Sequence, residues 1–215
     1  MRTNLCTIIA CCLCVLASLN LQARPVSYPT GTTIMQMNDA DSHSLHIHYS
    51  PTARYSLGYK AEKWNDQDWQ FHGLQYNHLA KRWNQKASQA NIYFKSAIGV
   101  SIFDDDIRQN GNAAGFVGIS GDWENRRFFT MYENRYTDAG EGVDFFMQKA
   151  RVGVAPYLGD YGDFHTWIML QTEHQPERFD QINNSLILRF FKSEYLFEIG
   201  IDENEEIAAN LIIRL

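Results

Sequence analysis

The run Ala90-Asn-Ile-Tyr-Phe-Lys-Ser-Ala-Ile-Gly-Val-Ser-Ile102 decides the fold. Ile92, Phe94, Ile98, Val100 and Ile102 fall on alternate positions, with Asn91, Tyr93, Lys95, Ala97, Gly99 and Ser101 between them. Successive side chains of an extended strand point to opposite faces, so a period of two makes a strand with one apolar and one polar side. The pattern recurs to either side. Tyr55, Leu57, Tyr59 and Ala61 alternate with Arg54, Ser56, Gly58, Lys60 and Glu62, and Tyr195, Phe197, Ile199 and Ile201 alternate with Leu196, Glu198 and Gly200. About twelve such segments can be traced, near 31–38, 43–50, 54–63, 68–82, 90–102, 113–123, 126–137, 144–157, 164–174, 184–191, 194–201 and 207–215. The phase slips in 68–82 and 126–137, which predicts bulges or shifted boundaries there. Turn-forming clusters such as Asp39-Ala-Asp41, Ser50-Pro-Thr52, Asn110-Gly-Asn112, Gly140-Glu-Gly142, Gly159-Asp-Tyr-Gly162 and Asp202-Glu-Asn204 punctuate the segments. No helical period, internal repeat or low-complexity linker is visible.

The first residues read differently. Arg2 is the one charge before Arg24, and the apolar run Leu5 to Leu16 lies between them. A basic start, a short apolar core and small residues make a secretory signal peptide, expected to be cleaved after Ala23 with Ala17 as the alternative. The core is too short for a membrane helix of about 20 residues. Cys6, Cys11, Cys12 and Cys14 all fall inside this leader. The exported chain then has no disulfide, thiolate metal site or thiol nucleophile. The expected organisation is residues 1–23 as signal peptide and 24–215 as one β-barrel domain. With 25 acidic against 19 basic residues and no basic run, nucleic acid is excluded as a partner.

Alternation alone does not say which face is buried. A soluble barrel hides its apolar side, whereas a membrane barrel turns it to lipid and keeps polar residues in the lumen. Segments of 9–13 residues suit tilted membrane strands of about 9–11 residues. Aromatics near segment ends (Trp64, Trp69, Trp83, Trp123, Tyr136, Tyr157 and Tyr161) suit an interfacial girdle. At the C-terminus, Ile207, Ala209, Leu211, Ile213 and Leu215 alternate with Ala208, Asn210, Ile212 and Arg214. This resembles the terminal strand by which the barrel-assembly machinery recognises outer-membrane proteins, with Leu215 where phenylalanine is usual. The predicted fold is therefore an all-β, antiparallel, up-and-down transmembrane β-barrel of about twelve strands, with ten strands and longer loops as the alternative. Its expected surroundings are the lipid and lipopolysaccharide of a Gram-negative outer membrane. A soluble periplasmic ligand-binding β-barrel is the competing reading.

Arg54, Lys60, Glu62, Lys95, Arg135, Lys149, Arg151 and Glu198 are expected to line the lumen, together with Arg127, Glu133, Glu173, Arg189 and Arg214. Such mixed-sign residues either salt-bridge a narrow barrel closed or form a channel lining whose basic excess favours anions. Met35 and Met37 precede His43, His46 and His48, and His46 and His48, two apart on a strand, point the same way. Thioether and imidazole are ligands for copper or silver, and imidazole also for zinc. The plainer alternative makes these methionines apolar-face residues and these histidines hydrogen-bonding partners. In Asp163-Phe-His165 a carboxylate could orient an imidazole for general-base work. With Asp104-Asp-Asp106, it resembles the Asp-x-His pair and paired aspartates of omptins, outer-membrane proteases. The chain is shorter than those and lacks their long loops, and an acidic turn beside an interfacial histidine is the alternative. Ser44 or Ser56 with His46 or His48 would serve a barrel-embedded hydrolase.

Four strings, Met35-Gln-Met-Asn-Asp39, Ser44-Leu-His-Ile-His-Tyr-Ser-Pro51, Gln70-Phe-His-Gly73 and Phe146-Met-Gln-Lys-Ala-Arg-Val-Gly-Val-Ala-Pro-Tyr157, together resemble an uncharacterised family of bacterial outer-membrane proteins. That family is associated with operons for heavy-metal efflux of the resistance-nodulation-division type. The resemblance implies an accessory role in copper or silver handling and no catalytic residues. The expected function is thus a non-enzymatic outer-membrane barrel, a small pore or an accessory to heavy-metal efflux. Its one candidate cofactor is copper or silver.

Overall fold

Each alternating segment forms a strand, and each strand runs antiparallel to the next until the last pairs with the first. The computed structural model describes residues 24–66, 68–104, 108, 111–160 and 162–215, so the expected signal peptide lies outside the described residues. Twelve strands follow in order: β1 (Gly31–Asn38), β2 (Ser42–Thr52), β3 (Tyr55–Trp64), β4 (Trp69–Asn84), β5 (Ser88–Phe103), β6 (Asn112–Asn125), β7 (Phe128–Asp138), β8 (Asp144–Val154), β9 (His165–Gln175), β10 (Phe179–Lys192), β11 (Tyr195–Asp202) and β12 (Ile207–Arg214). The barrel closes where β12 meets β1, with Thr33 opposite Arg214, Met35 opposite Ile212 and Met37 opposite Asn210. Thr32 and Leu215 extend that seam by exchanging backbone hydrogen bonds of 2.7 and 2.8 Å. Closure leaves no strand edge with unpaired N–H and C=O groups, which is what a wall in contact with lipid requires.

The faces are arranged inside-out. Ile98 (74% exposed) and Leu170 (60%) stand on the outer wall, whereas Asn77 and Ser101 (both 0%) point inward. The slip in 68–82 is a register shift between Leu79 and Lys81 in the β4–β5 pairing. Beyond it Arg82 faces Asn91, its Nε donating to Asn91 Oδ1 at 2.7 Å. β7 instead pairs with β6 and β8 without a shift. Its pattern blurs because Phe129, buried against Met169 and Ile187, shares the inner face with Glu133 and Arg135.

The start of β1 and the end of β12 mark one rim, here the terminal rim, which also carries the turns at 53–54, 85–87, 126–127, 155–164 and 193–194. Trp83, Trp123, Phe128, Tyr157 and Tyr195 stand exposed on the outer wall near it, an aromatic belt. Two expected belt members are elsewhere: Trp64 (3% exposed) and Trp69 (0%) are buried inside the barrel near the opposite rim. Trp64 closes β3 and Trp69 opens β4, both on inward-pointing positions, and their rings stack on each other at 6.3 Å. Tyr161 lies outside the described residues.

Candidate functional site: the charged lumen

The middle of the lumen is a set of ion pairs between strands. Arg135 on β7 donates from Nη1 and Nη2 to the two oxygens of Glu62 on β3, at 2.9 and 2.5 Å, and from Nε to Thr137 Oγ1 at 2.9 Å. Lys60 Nζ lies 3.3 Å from Glu62 Oε1, and the Arg135 guanidinium rests 4.1 Å from the centre of the Phe116 ring. Around the wall, Glu198 Oε1 accepts from Arg151 Nη1 (2.9 Å) and Arg189 Nε (2.6 Å), while Oε2 accepts from Asn210 Nδ2 (3.0 Å). Lys95 pairs with Glu133 and Lys149 with Glu173, each at 2.7 Å. Satisfying every carboxylate in this way is what makes charge tolerable inside a narrow barrel. Six basic side chains thus face four carboxylates in these pairs, a surplus of two positive charges.

Seven of the eight expected lumen residues, Lys60, Glu62, Lys95, Arg135, Lys149, Arg151 and Glu198, take part in these pairs. Arg54 does not: it sits exposed in the β2–β3 turn, one residue before β3 begins, where its carbonyl accepts from Leu79 N–H at 2.7 Å. Arg127 likewise lies in the exposed β6–β7 turn.

Both ends of the lumen are narrowed by groups that carry no alternation signal. At the terminal rim the segment before β1 folds into the barrel. Pro25 O accepts from Ser56 Oγ (2.7 Å), Ser27 N–H donates to Ser50 Oγ (3.0 Å), and Val26 packs on Leu79 and Tyr93. Arg24 ends this strap in an ion pair with Glu124. At the opposite rim Trp64, Trp69, Phe71, Phe103 and Phe145 form an inward aromatic cluster. The guanidinium of Arg178 covers Trp64 at 4.3 Å and pairs with Asp66. Beside it, in the β1–β2 turn, burial and the nearby Asp39 carboxylate push the Asp41 carboxyl up to about 6.

The methionine and histidine candidates share one patch of inner wall. His46 (6% exposed) and His48 (1%) both face inward, with ring centroids 4.5 Å apart. Met35 is the direct partner of His46 across the β1–β2 pairing, and Met37 the partner of Ser44. His43 is on the outer face, its Nδ1 3.2 Å from Asn38 Oδ1. Gly58 is the partner of His48 on the other side, and a Cβ there would lie 2.4 Å from His48 Cα, so only glycine lets β3 approach this closely.

Asp163 and His165 line a vestibule of about 760 Å³ at the terminal rim, with Arg24, Arg82 and Arg126. Asp163 precedes β9 rather than lying on it, and its carboxylate accepts from Asp160 N–H at 2.8 Å. The His165 ring packs 6.0 Å from that of Phe191, and among the described residues no hydrogen bond joins the two candidates. Of the aspartates at 104–106, Asp105 and Asp106 lie outside the described residues. Ser56 Oγ is engaged by Pro25 O and Asn77 Nδ2.

No family model and no curated protein matches this chain. Solved structures do. The KdgM porin in complex with disordered oligogalacturonate superposes with a TM-score of 0.50 over 86% of this chain and 97% of that one, at 7% identity. The KdgM porin by itself gives 0.48 at 7% identity over the same shares, 86% and 97%. OccAB4 of Acinetobacter baumannii gives 0.39 at 10% identity, covering 84% of this chain and 56% of that one. At such identities the first likeness speaks to the fold, a closed antiparallel barrel.

Proposed function

We propose that this protein is a non-enzymatic outer-membrane barrel, a small pore whose ion-paired lumen favours anionic solutes. The observation that carries this reading is the inversion of faces. An apolar outer wall with a belt of aromatics suits lipid, and an inner wall of paired charges suits water and ions. The surplus of two basic groups among these central ion pairs raises the local concentration of anions over cations there. The KdgM porin is known with an oligogalacturonate, and a carboxylate-bearing solute of that kind is one that such a lumen would admit. A finer role, as an accessory to heavy-metal efflux, is favoured by one feature, the grouping of Met35, Met37, His46 and His48 on the inner wall.

Reconstitution in planar bilayers under a salt gradient tests the pore. Small unitary currents with a reversal potential on the anion side are expected. A heat-modifiable membrane protein with no current in the wild type or in lumen variants would reduce the barrel to a closed scaffold. Recovery in the soluble periplasmic fraction would overturn the membrane assignment itself.

A further inference from the structure

Resting on the reading of this chain as an outer-membrane barrel with a charged lumen, we infer that the inner wall of β1 and β2 binds a soft monovalent cation, Cu(I) or Ag(I), through His46, His48 and the thioether of Met35.

The central ion pairs of the lumen are closed on themselves. Single atoms such as Arg24 Nε, Gln75 Oε1, Tyr93 Oη and Arg214 Nη2 are also buried without a partner among the described residues, but this patch groups imidazole nitrogens on adjacent inward positions. Nε2 of His46 and both ring nitrogens of His48 are buried without a hydrogen-bond partner among the described residues. Thr33 Oγ1, directly opposite His48, shares that condition. Buried polar atoms are ordinarily paired, so several unpartnered polar atoms on one patch of wall, with one ring lone pair to offer from each imidazole, point to a ligand. The geometry suits coordination. The two imidazoles project from alternate residues of one strand with centroids 4.5 Å apart. Directly opposite residues of an antiparallel pair hold their Cβ atoms about 4.5–5.5 Å apart, which puts the flexible Met35 side chain within reach of His46. Met37, one inward position along β1, supplies a second thioether.

The charge environment selects the ion. All the donors are neutral, and among the described residues no three His, Cys, Asp or Glu side chains converge as a metal site. The neighbours are cationic: Lys60 is the partner of His46 across β2–β3, and Arg214 the partner of Thr33 across β1–β12. A divalent ion would meet full repulsion there with no anionic ligand to offset it. A monovalent ion halves that repulsion, and Glu62 already neutralises Lys60. Thioether sulfur with imidazole is a donor set for Cu(I) and Ag(I) rather than for hard cations. Binding donates lone pairs from neutral imidazole and thioether, so no bond breaks and no electron is transferred.

The test is Cu(I) binding by the full barrel folded in detergent, read by competition with a chromophoric Cu(I) chelator, with Ag(I) and Zn(II) as added competitors. One Cu(I) per barrel is expected, displaced by Ag(I) and not by equimolar Zn(II). Met35→Leu and His48→Gln should each weaken binding at least tenfold while keeping the heat-dependent gel shift of a folded barrel. The Met35 methyl resonance should move when Ag(I) is added. No ion retained by the wild type, unchanged affinity in a folded Met35→Leu barrel, or displacement by equimolar Zn(II) would each overturn the site. Because the ion is counted in detergent, its loss is separable from the pore reading: current without bound ion removes the site alone, and bound ion without current removes the pore alone.

Discussion

Arg135 on β7 and Glu62 on β3, separated around the wall by β4, β5 and β6, meet in a two-pronged ion pair at 2.9 and 2.5 Å. The contact crosses the lumen, so it both ties distant strands together and occupies the path a solute would take. Charged hydrogen bonds of this fork geometry are among the stronger polar contacts, and both side chains are buried.

Removing one partner should therefore do two things. Glu62→Gln leaves Arg135 without its carboxylate, at a cost of about 3–5 kcal/mol for an uncompensated buried charge. The midpoint of the heat-shift transition should fall, and the fall should be smaller in the double variant Glu62→Gln/Arg135→Met. Unitary current should rise in Arg135→Ala, where the bulk of the guanidinium is gone. An unchanged midpoint in Glu62→Gln would show that the pair does not hold the wall.

The strap at the terminal rim makes a separate prediction. Arg24→Ala breaks the ion pair with Glu124 that anchors the segment inside the lumen. Larger or longer openings in single-channel records are expected, with the outer wall unaffected. If Arg24→Ala conducts as the wild type does, the strap is not a constriction.

Gly58→Ala should loosen the β2–β3 pairing. The added Cβ would lie 2.0 Å from Ile47 O and 2.4 Å from His48 Cα, both backbone atoms that cannot move aside alone. Overpacking of this sort costs about 1–3 kcal/mol. A lower heat-shift midpoint than for alanine at Gly121, where the nearest atom is 3.6 Å away, would bear this out.

Asp41 predicts a dependence on pH. Its carboxyl is raised from 3.8 to about 6, by burial first and by Asp39 second, against the opposing charge of Arg178. Between these values the folded protein holds a proton that the unfolded chain has lost. Stability from this group is therefore fullest below about pH 4 and falls as pH rises to 6, remaining lower above it. Asp41→Asn should be more stable than the wild type at pH 7, by about 1 kcal/mol after screening, and indistinguishable near pH 4. Thermal midpoints of both proteins across that range provide the measurement; parallel curves would assign the pH dependence elsewhere.

Much of this fold is legible locally. The twelve alternating segments correspond to the twelve strands, and the alternation at Asn91 to Ile102 assigns each side chain to the face on which it is found. The bulge at Leu79–Lys81 shows in the sequence as a slip of phase. The candidate site was legible in part. His46 and His48 had to share a face, whereas nothing local placed Met35 opposite His46, because that depends on the register across the β1–β2 turn. Trp64 and Trp69 misled for a physical reason: an aromatic at a strand terminus serves equally well as a belt outside or a plug inside, and the parity of that first or last position decides between them.

The sequence by itself determined the alternating segments, the turns between them and the opposition of a polar to an apolar face, since a period of two needs no knowledge of what a residue will touch. That the closed sheet has twelve strands and not ten was decided by the tertiary structure. Only the tertiary structure decided which charges meet. Arg135 with Glu62, Arg151 and Arg189 with Glu198, and Arg24 with Glu124 are 73, 47, 9 and 100 residues apart in the chain. Barrel closure, strand tilt and register bring them together, and these are properties of the whole sheet that no local pattern encodes.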